Sequence, residues 1–216
     1  MTRPLLLGHR GARASRHIPE NTLASYELCL QHGCDGFEFD VRLSADGQAV
    51  VCHDATFNKM KIERFTSHDL ALPTLEEVLR QYAHRAFLDI ELKVAGLEQQ
   101  TLLDLRKHPP QKGFVISSFL PEVIAAIHEL DPTVPLGYLC EKRSRLQGWQ
   151  ESPAEWVIPQ CDLASREVIE KIRESGKRSM VWTVNDGEDM RKFVEWGVDA
   201  IISDKTELLV SSLRQE

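Results

Sequence analysis

Eight short runs rich in Val, Ile, Leu and Phe recur along the chain, and amphipathic stretches separate most of them. A strand buried on both faces carries a near-continuous apolar run, whereas a helix lying on a sheet needs only one apolar stripe. The alternation therefore points to repeated strand-then-helix units around a parallel sheet. The strand runs are Leu5–Gly8, Gly36–Val41, Ala86–Leu92, Phe114–Ser118, Leu136–Cys140, Trp156–Gln160, Ser179–Val184 and Ala200–Ser203. Helical periodicity falls on Asn21–His32, Thr74–Ala83, Gln99–Lys107, Pro121–Leu130, Ser165–Ser175, Gly187–Trp196 and Thr206–Leu213. Gly33, Gly176 and Gly197 follow last turns and read as stops.

One further run, Ala49–Cys52, lies too close behind Gly36–Val41 for a crossover helix, so it must return antiparallel. The Asp46-Gly47 pair supplies the turn, and folding there sets Asp40 opposite His53. With this hairpin as an excursion after strand two, eight parallel strands remain in 216 residues. That is near the ~250 residues typical of a (β/α)8 TIM barrel. We expect one such barrel domain over residues 1–216, with an open doubly wound sheet as the second arrangement.

The formal net charge is −7 and no Lys/Arg run occurs, which argues against a nucleic-acid partner. The five cysteines are odd in number and contain no C-x-x-C pair, so neither a disulfide framework nor a zinc knuckle is expected and a reducing cytoplasm fits. Three consecutive leucines, Leu5 to Leu7, are too few for a leader or a membrane span. A monomer or homodimer is expected.

Reacting groups in a barrel gather where strands end. The first run ends in Gly8-His9-Arg10-Gly11, the second carries Glu38 and Asp40, the hairpin returns to His53-Asp54, and the third reads Asp89-Ile90-Glu91-Leu92-Lys93. Glu38 and Asp40, two apart in a strand, share the inward face. With Glu91 they would form an oxygen-rich site for Mg²⁺ or Ca²⁺, while ion pairs with Arg10, Arg42 or Lys93 would satisfy the same acids without a metal. His9-Arg10 reads as an exposed turn that joins a titratable nitrogen to a fixed cation, suited to binding phosphate and moving a proton. His53 gains meaning from Asp40 beside it. The other six histidines, His17, His32, His68, His84, His108 and His128, read as surface residues. Asn21 is the expected N-cap of the first helix, and Glu20 adds a charge there or orients an imidazole. Trp182 faces either the site or the core, and Asp204 reads as the cap of the last helix with no catalytic part.

Taken in order, Gly8-His9-Arg10-Gly11, Pro19-Glu20-Asn21-Thr22, Glu38-Phe39-Asp40-Val41, Asp46-Gly47, His53-Asp54, Pro73-Thr74-Leu75-Glu76-Glu77, Glu91-Leu92-Lys93 and Trp182-Thr183-Val184-Asn185 resemble the glycerophosphodiester phosphodiesterases. The resemblance implies a β/α barrel that releases glycerol 3-phosphate and an alcohol. It implies His9 and His53 as acid and base, Glu38, Asp40 and Glu91 around the metal, and Arg10 and Lys93 on the phosphate, with Trp182 against the ligand. Two departures touch the substrate. The stretch between Gly11 and Pro19 is longer, with Arg13, Arg16 and His17. The stretch from His53 to Pro73 lacks most of the helical insertion and the Arg-Thr-Thr pattern of many relatives, where this chain has Asn58-Lys59-Met60-Lys61, so a more open mouth is expected. A lysophospholipase D-like lyase that stops at a cyclic phosphate, a non-catalytic phosphate-ligand barrel and a metal-dependent sugar isomerase are the competing readings.

Overall fold

The computed structural model describes residues 3–214; Met1 and Thr2, part of the stretch read as too short for a leader, lie outside them. The chain runs β1 (Leu5–His9), α1 (Leu23–Gln31), β2 (Gly36–Leu43), β3 (Ala49–Val51), β4 (Thr56–Phe57), β5 (Met60–Lys61), α2 (Ser67–Leu70), α3 (Leu75–Tyr82) and β6 (Phe87–Leu92). It continues through α4 (Glu98–Lys107), β7 (Phe114–Ser118), α5 (Pro121–Leu130), β8 (Leu136–Cys140), β9 (Trp156–Pro159), α6 (Arg166–Glu174), β10 (Arg178–Val181), α7 (Gly187–Trp196), β11 (Ala200–Ser203) and α8 (Thr206–Leu213). Strand order is β1-β11-β10-β9-β8-β7-β6-β2-β3, and β1 also pairs with β2, which closes eight parallel strands into the expected barrel.

Alternation along the strands sorts side chains into two layers. Leu7, Phe87, Val115, Leu139, Trp156, Ile158, Met180, Ala200 and Ile202 fill the interior as one apolar plug. Phe37, Phe39, Val41, Leu88 and Ile90 point the other way, into the layer beneath the helices. Strand β2 serves both: Phe37 stacks on Tyr26 at 4.2 Å and meets Tyr82 edge-on at 5.1 Å, while Glu38 and Asp40 project inward. Gly36 has a steric reason, because a Cβ there would collide with the Phe87 backbone where β2 and β6 run together.

The β2–β3 hairpin forms antiparallel as expected, but its register differs by one residue. Val41 pairs with Val51, and the Cys52 amide donates to the Asp40 carbonyl at 3.0 Å, so Cys52 and not His53 faces Asp40. The cause is the loop: Ser44 N–H donates to the Gln48 carbonyl at 3.0 Å, which makes the connection longer than a two-residue turn on Asp46-Gly47. Asp46 accepts from the Ser44 hydroxyl at 2.6 Å and the Ser67 amide at 2.9 Å, joining the loop to α2. Between His53 and Pro73 the chain forms only β4, β5, a single 3₁₀ turn and α2, over a small cluster of Val50, Cys52, Ile62 and Leu70.

Three further expectations are corrected. The cap of α1 is Thr22, whose hydroxyl accepts from the Ser25 amide, and Asn21 stands outside the helix with φ 56°. The strand expected over Ser179–Val184 ends at Val181, with Trp182 held in a lone parallel bridge to Gln160. Asp204 caps nothing, since α8 has no side-chain cap. The Thr74 to Glu77 motif is accounted for locally, by a reciprocal capping box on α3.

Candidate active site

At the C-terminal end of the barrel lies a cavity of about 410 Å³, lined by His9, Arg10, Glu38, His53, Asp89, Glu91, Lys93, Ser117, Phe119, Leu139, Glu141, Trp182 and Ile202. The parallel register of β1, β2 and β6 sets its polar side, because His9 lies opposite Glu38 and Asp40 opposite Glu91. All four are buried. One carboxylate oxygen from each of Glu38, Asp40 and Glu91 lies within 4.8 Å of the other two.

These acids are only partly neutralised. The Arg10 amide, in a residue of φ 52°, donates to Glu38 Oε2 at 3.0 Å, and its guanidinium reaches Glu20 at 2.7 Å and Asp40 at 3.2 Å. Lys93 Nζ lies 2.6 Å from Glu91 and 3.3 Å from Asp40. Ion pairs therefore exist, as the alternative to a metal requires, yet Glu38 Oε1, Asp40 Oδ1 and Glu91 Oε1 are buried without an aligned hydrogen bond. Burial, then the charges of Asp40 and Glu91, push the Glu38 carboxyl well above its usual range. Burial and Asp40 raise Glu91 to about 8. Burial also works against the Asp40 anion, but Lys93, Arg10 and the Asn21 amide outweigh it and hold that carboxyl low. The set has hard oxygen donors, free lone pairs and more acid than its own cations balance, and so fits a divalent cation of the Mg²⁺ or Ca²⁺ kind.

Each imidazole has a carboxylate on Nδ1. His9 Nδ1 lies 2.7 Å from Asp204 Oδ1, and His53 Nδ1 lies 2.7 Å from Asp54 Oδ1. A carboxylate accepts only, so the proton sits on Nδ1 and the Nε2 lone pair is left free. Arg13 Nη1, 3.4 Å from His9 Nδ1, then has no acceptor there and serves Asp204 at 3.2 Å. His9 is buried instead of exposed, and burial lowers its pKa despite the partial offset from Asp204. His53 stands at the rim, where the Arg42 Nε donates to its carbonyl at 2.8 Å.

Asp204 and Asn21, expected only as helix caps, and Arg13, noted only in the stretch between Gly11 and Pro19, hold other side chains of the site. Asp204 holds His9 and itself accepts from Asn185 Nδ2 at 2.7 Å; burial opposes its ionisation, but His9, Asn185 and Arg13 bring its pKa down to about 2. Asn21 Nδ2 donates to Asp40 at 2.8 Å and is steadied by the Tyr26 hydroxyl at 3.1 Å. Arg13 donates to Glu20 at 2.6 Å. Glu20 thus orients the two arginines and no imidazole. Barrel closure was the available signal: β1 beside β11 sets Gly8 against Ser203, and so His9 near Asp204. Two histidines read as surface residues are partly buried with partners, His32 on Thr206 at 2.7 Å and Glu207 at 3.2 Å, and His108 on Glu76 at 3.4 Å. Neither lines this cavity.

Asp204→Asn is expected to lower kcat about 10- to 100-fold, the range for losing a carboxylate that orients a functional histidine. Because Asp204 raises the His9 pKa, its removal should move the His9 titration to lower pH, as read by proton NMR of the ring. An unmoved titration with unchanged kcat would contradict this positioning.

A closed barrel with paired imidazoles, carboxylates and fixed cations on one cavity suits the hydrolysis of phosphoric diesters. The chain belongs to the glycerophosphoryl diester phosphodiesterase family, whose family model matches residues 9–208. It is 27% identical to the glycerophosphodiester phosphodiesterase of Caldanaerobacter subterraneus subsp. tengcongensis, covering 98% of each chain. Among solved structures it is similar to a phosphodiesterase of Oleispira antarctica in complex with the product sn-glycerol-3-phosphate (26% identity, TM-score 0.85, 97% of this chain and 96% of that one). It is also similar to the glycerophosphodiester phosphodiesterase of Thermotoga maritima (26% identity, TM-score 0.84, 98% and 99%). No helix among the described residues is long and apolar enough to cross a membrane.

Proposed function

We propose that the chain hydrolyses glycerophosphodiesters to glycerol 3-phosphate and an alcohol by two-histidine acid–base catalysis at a divalent-cation site, with residues 1–216 acting as one catalytic domain. The observation that carries this reading is the charge of the cleft. Three carboxylates and a phosphodiester monoanion are balanced by a divalent cation, Arg10 and Lys93. With Arg10 and Lys93 alone, three buried carboxylate oxygens have no aligned hydrogen bond. When bound to Glu38, Asp40 and Glu91, the cation supplies Lewis-acid polarisation of phosphate and hydroxyl.

The protein groups take the remaining roles. Arg10 and Lys93 hold the non-bridging phosphate oxygens and stabilise the charge that builds on them. One neutral imidazole takes on its Nε2 the proton of the substrate's glycerol 2-hydroxyl as that oxygen attacks phosphorus, while the other ring, entering as the imidazolium with a second proton on its Nε2, gives that proton to the departing alcohol. Water then opens the cyclic phosphate, with the two rings exchanging roles. Asp204 and Asp54 fix the tautomers throughout. Trp182, with its indole N–H donating to the Ile158 carbonyl at 3.1 Å, presents a rigid face to the organic part of the ligand.

Release of glycerol 3-phosphate from glycerophosphocholine, assayed before and after EDTA and after return of Mg²⁺ or Ca²⁺, tests the reading. Activity should fall below about 1% on chelation and return with one of the ions, as expected for loss of a Lewis acid worth several kcal/mol. Full activity in EDTA would overturn the cation site.

A further inference from the structure

One acid of the cleft has no part in the chemistry above. Asp89 lies on β6 two residues before Glu91, so it shares the inward face of Glu91 one step deeper in the barrel. The β2–β6 register sets it beside Glu38. It is fully buried and lines the cavity. The Ser117 hydroxyl donates to its Oδ1 at 2.6 Å and tethers the carboxyl, whereas Oδ2 has no hydrogen-bond partner. The fixed cations of the cleft are engaged elsewhere, Arg10 by Glu20 and Asp40, and Lys93 by Glu91 and Asp40.

A residue needed only to fill this floor would be apolar, as the neighbouring Leu7 and Val115 are. Burial of a carboxyl oxygen without a partner is unfavourable, so the free Oδ2 points to a partner that the chain itself does not supply. Asp89 is close enough to act on the acidic set: after burial, Asp40 and Glu91, its charge is a further cause of the raised Glu38 carboxyl. Yet it stands outside the tight group in which Glu38, Asp40 and Glu91 each bring an oxygen within 4.8 Å of the others. Set back in this way, it would reach a cation held by those three through a water. Hard divalent cations keep waters of their own, and a water whose oxygen faces the cation turns its hydrogens outward, where a carboxylate accepts one. We propose that Asp89 Oδ2 is the outer support of the cation, accepting from one of its waters beneath Glu38, Asp40 and Glu91, with Ser117 aiming the carboxyl. Asp89 is thus a positioning residue and not a ligand. The inference rests on the cation site proposed above and deepens it.

The test uses Mn²⁺ as the probe and reads its Kd for the full chain by isothermal titration calorimetry, in wild type, Asp89→Asn and Ser117→Ala. Asp89→Asn keeps the size of the side chain and an acceptor for Ser117 but removes the anionic oxygen. It should weaken Mn²⁺ binding about 10- to 100-fold, the usual cost of losing an outer partner of a metal site. Ser117→Ala, which leaves Asp89 untethered, should weaken it by a smaller factor. Urea midpoints of the metal-free proteins are read alongside. A role in packing alone would shift those midpoints and leave the Mn²⁺ Kd unchanged, and that result overturns the proposal, as does equal or tighter binding by Asp89→Asn. Should Asp89→Asn fail to fold, an unchanged Kd in Ser117→Ala overturns it. If wild type binds no Mn²⁺, the cation site itself fails and takes this inference with it; Mn²⁺ bound equally by wild type and variants defeats the inference alone.

Discussion

Replacing His9 or His53 with alanine is expected to lower kcat for glycerophosphodiester hydrolysis by about two to four orders of magnitude, the usual contribution of a positioned proton-transfer group. Both rings line one cavity, each with its Nδ1 on a carboxylate and its Nε2 free. In the proposed cycle each would transfer a proton in both halves of the reaction, so loss of either should stall it. The double variant should therefore fall little further than the worse single one, because groups that act as a unit are not additive. Circular dichroism and retained binding of glycerol 3-phosphate serve as controls for folding. A loss below tenfold for either single variant would remove that ring from the chemistry.

Phe37→Ala should destabilise the fold by about 3–5 kcal/mol, the usual range for truncating a buried aromatic. The ring is fully buried, stacks on Tyr26 and meets Tyr82 edge-on. It also sits one residue from Glu38, and the Tyr26 that it supports holds Asn21, which holds Asp40. Urea unfolding reads the stability loss, and kcat/KM at a temperature where the variant stays folded should fall as well. A change under about 1 kcal/mol would mean that the layer beneath α1 and α3 collapses around the hole.

His9, His53 and Phe37 show why the fold and part of the site were legible in the sequence. The near-continuous apolar runs of a doubly covered sheet announce the strands, and the inward parity of Glu38 and Asp40 follows from spacing alone. Hairpin register was less legible, because Asp46-Gly47 signals a tight turn and nothing local reveals that Ser44 bonds across to Gln48. Asp204 was hidden by its context: an aspartate between a strand and a helix has the pattern of an N-cap, and its partner His9 lies 195 residues away. Only closure of β11 onto β1 joins them. Asn21 was misread for the same reason, since an Asn-Thr pair offers two capping side chains and local chemistry does not choose between them.

The arrangement at the centre of this account is best examined by crystallography of the enzyme with Mn²⁺ and glycerol 3-phosphate, using anomalous scattering to locate the metal. The expected result is one metal peak bonded to Glu38, Asp40 and Glu91, with the phosphate between the Nε2 atoms of His9 and His53 and held by Arg10 and Lys93. A phosphate bound elsewhere, or carboxylates that remain paired with Lys93 and Arg10 with no metal among them, would contradict it.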